Sequence, residues 1–363
     1  MGVGFKSMID NVVNHKLVKK NILIVFLSKG GIGEVILQTP FFRVLKQTRP
    51  ELAIQMLLSK HNVSVVHNNP HIDQIHAYSD SNDLLAKILR LRKTRFSHVF
   101  IFDKSWKSTY LIRLLVKSSE YIGFKRRWWE SVVLTKKIRY TAEKHDSLFY
   151  IDLIPWSISG VDLTPEIFIK EDEKKDVDLL VSKSTKLVCV LPGGARNPGV
   201  GDEPFRRWAV DNYIELTKKL IERGYEVLFV GNNTDNLIVQ KIIATLNEEN
   251  KNQIINVCGE LSLVQSGYAI GKADLVVCHD SGLMHLASCF NDTMICLFGI
   301  TSPVSLKPQR ENVEFIWADQ DIYTPDVRIF GTYKIDKKKR ELYFKRITVD
   351  QVFELVVKKM VKL

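Results

Sequence analysis

Apolar runs of strand length alternate with helix-period segments along most of the chain, and this alternation limits the fold more than any other feature. NILIVFL (21–27), LAIQMLL (52–58) and HVFIF (98–102) are apolar almost throughout rather than at every second position. Such runs belong to strands covered on both faces. The order strand, helix, strand calls for parallel pairing with right-handed crossovers. The spacing predicts a helix from about Val35 to Lys46 between the first two strands.

The pattern then runs a second time. EDEKKDVDLLVSKSTK (171–186) is charged and ends in small polar residues, as a short helix and domain boundary would. Beyond it come LVCVL (187–191), a Gly/Pro-rich loop, a helix over 211–223, and strands at 225–231, 254–259, 273–280 and 293–299. Helices are expected at 262–270 and 281–290, and TVDQVFELVVKKMVKL closes the chain as an amphipathic helix with cations at its C-terminal end. The reading is α/β, with two doubly wound domains of similar size facing a cleft. The 363 residues suffice for two cores. In open parallel sheets ligands bind beyond the carboxyl ends of the strands, and clefts between domains hold small molecules.

Charge is distributed unevenly. The net charge is +11, but residues 1–170 carry 26 Lys/Arg against 14 Asp/Glu and the remainder 26 against 27. All the excess therefore lies in the first half, which implies an anionic partner there: nucleic acid, a membrane surface or a phosphorylated glycan. A lysine-rich background would give a similar excess.

The five cysteines are odd in number and mostly sit in apolar runs, as buried free thiols in a reducing compartment do. The cluster of Cys278, His279, His285 and Cys289 matches no common zinc spacing, and no metal site is expected. No run reaches the ~20 apolar residues of a membrane span, and the first 20 residues lack a signal-peptide core. Instead Phe5, Met8, Ile9, Val12, Val13 and Leu17 recur at helical spacing, forming a basic amphipathic extension that packs on the domain or lies on a membrane.

Five motifs carry chemistry. SKGGIGEVILQTP (28–40) joins a strand to a helix, and Gly31 and Gly33 permit a tight turn and close approach of a ligand. It only partly matches a dinucleotide fingerprint, because position 36 is Ile where a small residue is needed. Glu34, at that helix start, is either a first-turn cap or a general base. CHDSGLMHLA (278–287) begins a helix at Asp280, Ser281 and Gly282, an anion-binding arrangement, with His285 one turn further. PGGARNPGVGDEPFRRWAVDNY (192–213) sets a loop containing Gly193 and Gly194 before Arg206, suited to phosphate oxygens. In VGNNTDN (230–236), Gly231 ends a strand and Asp235 could take ribose hydroxyls. Residues 101–130 interleave Asp103, Lys104, Lys107, Arg126 and Arg127 with Trp106, Trp128 and Trp129, a pattern fitting an anionic glycan or amphiphile. Nucleic acid would also suit it, but no recognisable binding module accompanies it.

Taken in order, these segments resemble glycosyltransferase family 9, the heptosyltransferases of lipopolysaccharide core synthesis. GIGEVILQTP, PGGA followed by FRRWAVDNY, and HDSGLMHLA followed by LFGITSP carry the resemblance, with FIFDKSWKS and EKHDSLFYIDLI between them.

The resemblance implies two Rossmann-like domains in a GT-B fold. After a 1–20 extension, an acceptor domain would span 21–175 and a nucleotide-sugar domain 185–335, with a helix at 348–363 packing back on the first. It implies an inverting, metal-independent transfer from ADP-heptose to a lipid-linked inner-core acceptor, with no cofactor besides that donor, in the cytoplasm or at the inner face of its membrane. The family's catalytic Asp falls on Glu34, one methylene longer, and Asp103 is a second candidate base. The family's phosphate-binding Lys falls on Arg206. Asp280, Ser281 and Gly282, with Gly193 and Gly194, would cradle the diphosphate; Gly231 and Asp235 would take the nucleoside, and His285 would lie near the donor. Gly31, Gly33, Lys104, Lys107, Arg126 and Arg127 would face the acceptor. The alternatives are the same mechanism with another donor or acceptor, and a non-catalytic nucleotide-sugar-binding protein.

Overall fold

The computed structural model describes residues 20–28, 31–125, 132–141, 143–181, 186–194, 196–197, 201–202, 204–318 and 344–362. The expected extension at the N-terminus, up to residue 19, lies outside them, as do Arg126, Arg127, Trp128 and Trp129.

Two six-stranded sheets form the framework. The first comprises β1 (Lys20–Phe26), β2 (Leu52–Ser59), β3 (Gln74–Tyr78), β4 (Arg95–Ile101), β5 (Lys117–Lys125) and β6 (Lys136–Arg139), in the order β3-β2-β1-β4-β5-β6. A short antiparallel pair, β8 (Arg196–Asn197) and β9 (Gly201–Asp202), follows β7 (Leu187–Leu191). The second sheet adds β10 (Glu226–Phe229), β11 (Ile254–Asn256), β12 (Leu275–His279), β13 (Thr293–Phe298) and β14 (Asn312–Trp317), in the order β11-β10-β7-β12-β13-β14. Every pairing in both sheets is parallel. The two orders are the same, as the doubled sequence pattern requires. Each reverses direction at its centre, between β1 and β4 and between β7 and β12. A crevice opens beyond the strands at such a point.

The helices of the first half are α1 (Ile32–Ile36), α2 (Thr39–Thr48), α3 (Val63–Val66), α4 (Ser81–Leu91), α5 (Trp106–Leu115) and α6 (Asp146–Ile151). Then come α7 (Glu171–Leu180), α8 (Val210–Glu222), α9 (Asn233–Ile243), α10 (Glu248–Lys251), α11 (Leu263–Gly271), α12 (Gly282–Ala287), α13 (Pro303–Leu306) and α14 (Val349–Met360). The central strands are buried on both faces, which explains their unbroken apolar runs: Ile22, Ile24 and Phe26 pack one way and Leu23 and Val25 the other.

Three expectations need correction. The helix expected over 35–46 is two helices. Pro40 has no N–H for the carbonyl of Ile36, and the Thr39 hydroxyl donates to that carbonyl instead, at 2.8 Å. The boundary expected at residue 175 falls inside α7, whose Asp178 is bonded by Tyr268 of α11 and by Lys272 just after it, so the whole helix sides with the second sheet. Finally, α14 does not fold back onto the first domain. It packs on α8, β12 and β13. Val352 and Val356 are fully buried there, each contributing roughly 1.5–3 kcal/mol, and Lys219 of α8 pairs with Asp350. Trp208 explains the preference: it is fully buried in that same cluster, and its indole N–H donates to Ile347 just before the helix.

Candidate functional site

The two switch points face each other. Glu34 on α1 follows β1, and Asp103 and Lys104 follow β4. Across the cleft, Gly193 and Gly194 follow β7, while Asp280, Ser281 and Gly282 follow β12. The starts of α1 and α12 touch. A Cβ on Gly33 would stand 2.6 Å from His285 Cδ2, and one on Gly282 would stand 2.8 Å from Ile32 Cγ1. Both glycines are thus needed for contact between the domains. His285, expected beside the donor, packs its ring edge on Gly33.

On the first-domain side, Glu34 Oε1 lies 3.0 Å from Lys104 Nζ. Lys104 also donates to the Tyr140 hydroxyl at 3.0 Å, which bonds the buried Asp146 at 3.1 Å. Burial alone would lower the Lys104 pKa, but Glu34, Tyr140, Tyr150 and Asp146 hold it well above its ordinary value. Asp103 is buried and accepts the Leu27 N–H at 2.5 Å. Burial pushes its pKa up to about 7; the Leu27 bond and Lys104 oppose this, and the charge on Glu34 adds to it. Asp103 therefore holds the strand-to-helix connection, while the partly exposed Glu34 carboxylate pairs with Lys104. Lys107 lies to one side, lining a separate hollow of about 260 Å³ with Tyr78, Asp80 and Ser81.

On the second-domain side, Gly194 has φ +96°, and a Cβ there would meet Ser281 at 2.9 Å. Asp235 accepts the backbone N–H groups of Gly194 and Asn232, each at 3.0 Å. Side chains on Gly193 or Gly231 would collide with that same carboxylate. Asp235, read from sequence as a ribose ligand, thus spends both oxygens on holding these loops. The Asp280 carboxylate is likewise engaged by the Thr301 hydroxyl at 2.7 Å.

The sequence reading named Ser281 here but missed its neighbours His279 and Tyr213. Ser281 Oγ and His279 Nε2 are buried and have no partner among the described residues. The two lie 3.4 and 3.5 Å from the point where a Gly194 Cβ would be. His279 Nδ1 shares a 3.0 Å hydrogen bond with the Tyr213 hydroxyl. Burial pushes its pKa down to about 3; Asp280 opposes this, and the charges on Arg206 and Arg207 add to it. Arg207 also donates to the Gly194 carbonyl at 3.3 Å. The expected Arg206 is therefore present with a second guanidinium beside it. Nothing in the spacing of HDSG marked His279, since its isolation depends on Tyr213 and Gly194, both distant in sequence.

Between the two sides lies a cavity of about 440 Å³ lined by Gly31, Ile32, His61, Asn62, Gly194, Gly231, Asn232, Asp235, Leu261, Leu263, Ser266, Gly282 and Leu283. Both domains line it, its size is that of a small-molecule site, and its walls are mixed apolar and amide.

Residues 85–333 match the model of glycosyltransferase family 9 (heptosyltransferase). The chain belongs to glycosyltransferase family 9. This family 9 glycosyltransferase is 23% identical over 297 residues to lipopolysaccharide heptosyltransferase 2 of Salmonella typhimurium, covering 77% of this chain and 83% of the relative. It is 25% identical over 304 residues to lipopolysaccharide heptosyltransferase 3 of Escherichia coli, covering 79% and 85%. The solved Escherichia coli ADP-heptose lipopolysaccharide heptosyltransferase II superposes with a TM-score of 0.74 at 21% identity, over 94% of this chain and 99% of that one. A family 9 structure from Veillonella parvula gives 0.76 at 19% identity, over 96% and 99%. The fold of this glycosyltransferase is that of these enzymes, two Rossmann-like domains facing a cleft.

Proposed function

We propose that this glycosyltransferase moves a heptose from ADP-heptose to a lipopolysaccharide inner-core acceptor, with inversion and without a metal ion. The observation that carries the reading is the meeting of the two switch points beside a cavity that both domains line: Glu34, paired with Lys104, follows β1 on one side, and Ser281 and His279 stand beside Gly194 on the other. The donor and acceptor come from the relatives named as heptosyltransferases; the chemistry comes from these residues.

Glu34 is the general base. It takes the proton from an acceptor hydroxyl as that oxygen attacks the anomeric carbon on the face opposite the diphosphate. Lys104 keeps the carboxylate oriented. Asp103 is a positioning residue, because its oxygens are tied to the β1–α1 connection. As the bond to the diphosphate breaks, the Arg206 and Arg207 guanidinium groups and Ser281 Oγ stabilise the charge on the leaving oxygens. With the Tyr213 hydroxyl donating to Nδ1, neutral His279 presents Nε2–H as a further donor. Adenosine would occupy the cavity against Leu261, Leu263 and Ile32. No helix among the described residues is long and apolar enough to cross a membrane, and the reading places the enzyme peripherally on the cytoplasmic face of the inner membrane.

The test is transfer from ADP-heptose to a heptose-deficient lipopolysaccharide acceptor, with EDTA present, by wild type and Glu34→Gln. Turnover by wild type, reduced about 10²–10⁴-fold in the variant with ADP binding retained, is the expected result. If ADP binds but no sugar moves, the donor or acceptor assignment falls. Turnover that survives in Glu34→Gln removes the base assignment.

A further inference from the structure

Helices α4 and α5 lie side by side on one face of the first sheet. Ile88 and Leu91 from α4, and Ile112 and Val116 from α5 and its end, pack on Leu23, Val25 and Val99. Their opposite sides are unusual. Leu85 and Leu89 recur at i, i+4 on the outside of α4, and Trp106, Tyr110 and Leu114 recur at i, i+4, i+8 on the outside of α5. Leu114 is 80% exposed and the other four between 38% and 47%. Single exposed apolar residues are ordinary, but five in two adjacent stripes form a patch.

The surroundings of that patch are strongly basic. Residues 81–118 contain nine Lys/Arg and two Asp/Glu, and one of the two acids is the buried Asp103. At the end of the α5 stripe an open bowl of about 530 Å³ is lined by Lys93, Arg95, Arg113, Leu114, Lys117 and Tyr121. It has no acidic lining residue, and the Arg113 guanidinium lies 4.4 Å over the Tyr121 ring. At the other end, Trp106 stands two residues after Lys104, the partner of Glu34. The stripe therefore runs about 12 Å along α5, from the cleft to the basic bowl.

We infer that the outer face of α4 and α5 is the surface by which this enzyme docks on an anionic lipid bilayer. Leu85, Leu89, Trp106, Tyr110 and Leu114 sit in the interfacial layer, and Lys93, Arg95, Arg113 and Lys117 bind lipid phosphates. Interfacial binding needs this combination of apolar burial and cationic attraction. A protein partner would demand acidic complementarity to the bowl, whereas a bilayer supplies phosphate and hydrocarbon at matching depths. The inference rests on the proposed function only in taking the acceptor to be lipid-linked, which gives docking with the cleft at the surface its purpose.

The experiment is co-sedimentation of the full chain with vesicles of phosphatidylethanolamine and phosphatidylglycerol, and with vesicles of phosphatidylcholine alone. Two double variants accompany wild type: Leu89→Glu with Leu114→Glu, and Lys93→Glu with Arg95→Glu. These positions are on the surface, and thermal melts check that each variant folds. Wild type should bind the anionic vesicles, release with salt, and leave phosphatidylcholine largely unbound. Each double variant should bind about tenfold more weakly. Both should turn over a deacylated, soluble acceptor as wild type does and lose activity on the acceptor embedded in vesicles. Absence of wild-type binding to anionic vesicles, or binding by both variants equal to wild type, overturns the inference. Failure of wild type on the soluble acceptor would instead count against the transfer reading, leaving the vesicle result to decide the docking face.

Discussion

Glu34 Oε1 and Lys104 Nζ lie 3.0 Å apart, joining the helix after β1 to the segment after β4 across the switch point of the first sheet. The pair belongs to a chain of groups that continues through the Tyr140 hydroxyl to the buried Asp146. Removing the cation strands carboxylates at both ends. Lys104→Met should therefore cost about 3 kcal/mol in denaturant unfolding. It should also reduce kcat more than KM, because the base loses its orientation. A variant with unchanged stability would mean that solvent screens the pair.

Asp103 makes stability depend on pH in a defined direction. Its pKa in the folded chain is about 7, against an ordinary 3.8, so the folded state holds a proton that the unfolded state releases first. The group's contribution is complete below about pH 4, declines as pH rises towards 7, and is flat above that. Wild type should lose Tm between pH 4 and pH 7 relative to Asp103→Asn, measured by thermal melts across that range. Parallel profiles for the two proteins would contradict the burial of this carboxyl.

His279 acts in the opposite sense. Its folded pKa of about 3 lies below the ordinary 6.5, so the unfolded chain takes up the proton first on acidification. Stability from this group is complete above pH 6.5 and is lost as pH falls towards 3. In transfer assays His279→Leu should lower kcat by about 10–10³-fold, as loss of one preorganised donor does. His279→Gln, which restores an N–H, should recover part of the rate. Equal rates in the two variants would deny the ring any role as a donor.

Gly33 and His285 test whether the domains must meet as described. The Cβ of Gly33→Ala would stand 2.6 Å from the imidazole, so the helix starts should be forced apart and transfer should fall at least about tenfold with little change in Tm. Adding His285→Ala opens the space and should restore activity in a double-mutant cycle. A simple sum of the two losses would show that the contact is incidental.

The fold was largely legible because its central strands carry the strongest local signal. β1, β2, β7, β12 and β13 are buried on both faces and read as unbroken apolar runs. The edge strands of the first sheet were not legible, although β11 at the edge of the second was. Gln74–Tyr78 is half-exposed and mixed, and Lys136–Arg139 is KKIR, whose place in the sheet comes from pairing with β5. Pro40 broke a helix whose apolar period continues across the break.

By itself, the sequence determined the two α/β units, their parallel strands, and the Gly-rich turns that follow β1 and β7, because hydrophobic period and turn chemistry are local properties. It also placed Glu34, Asp103 and the Asp280–Gly282 turn at strand ends. Only the tertiary structure decided what those side chains do. Asp103 and Asp235 are engaged in holding loops, Glu34 is paired with Lys104, and His279 has a buried Nε2 beside Gly194 with no partner among the described residues. Only packing decided that α14 belongs to the second domain, because its apolar face would fit many surfaces and it is the cluster around Trp208 that it completes. A carboxylate or imidazole has the same formula wherever it stands. Its charge, its partners and its work are set by neighbours that lie far away along the chain.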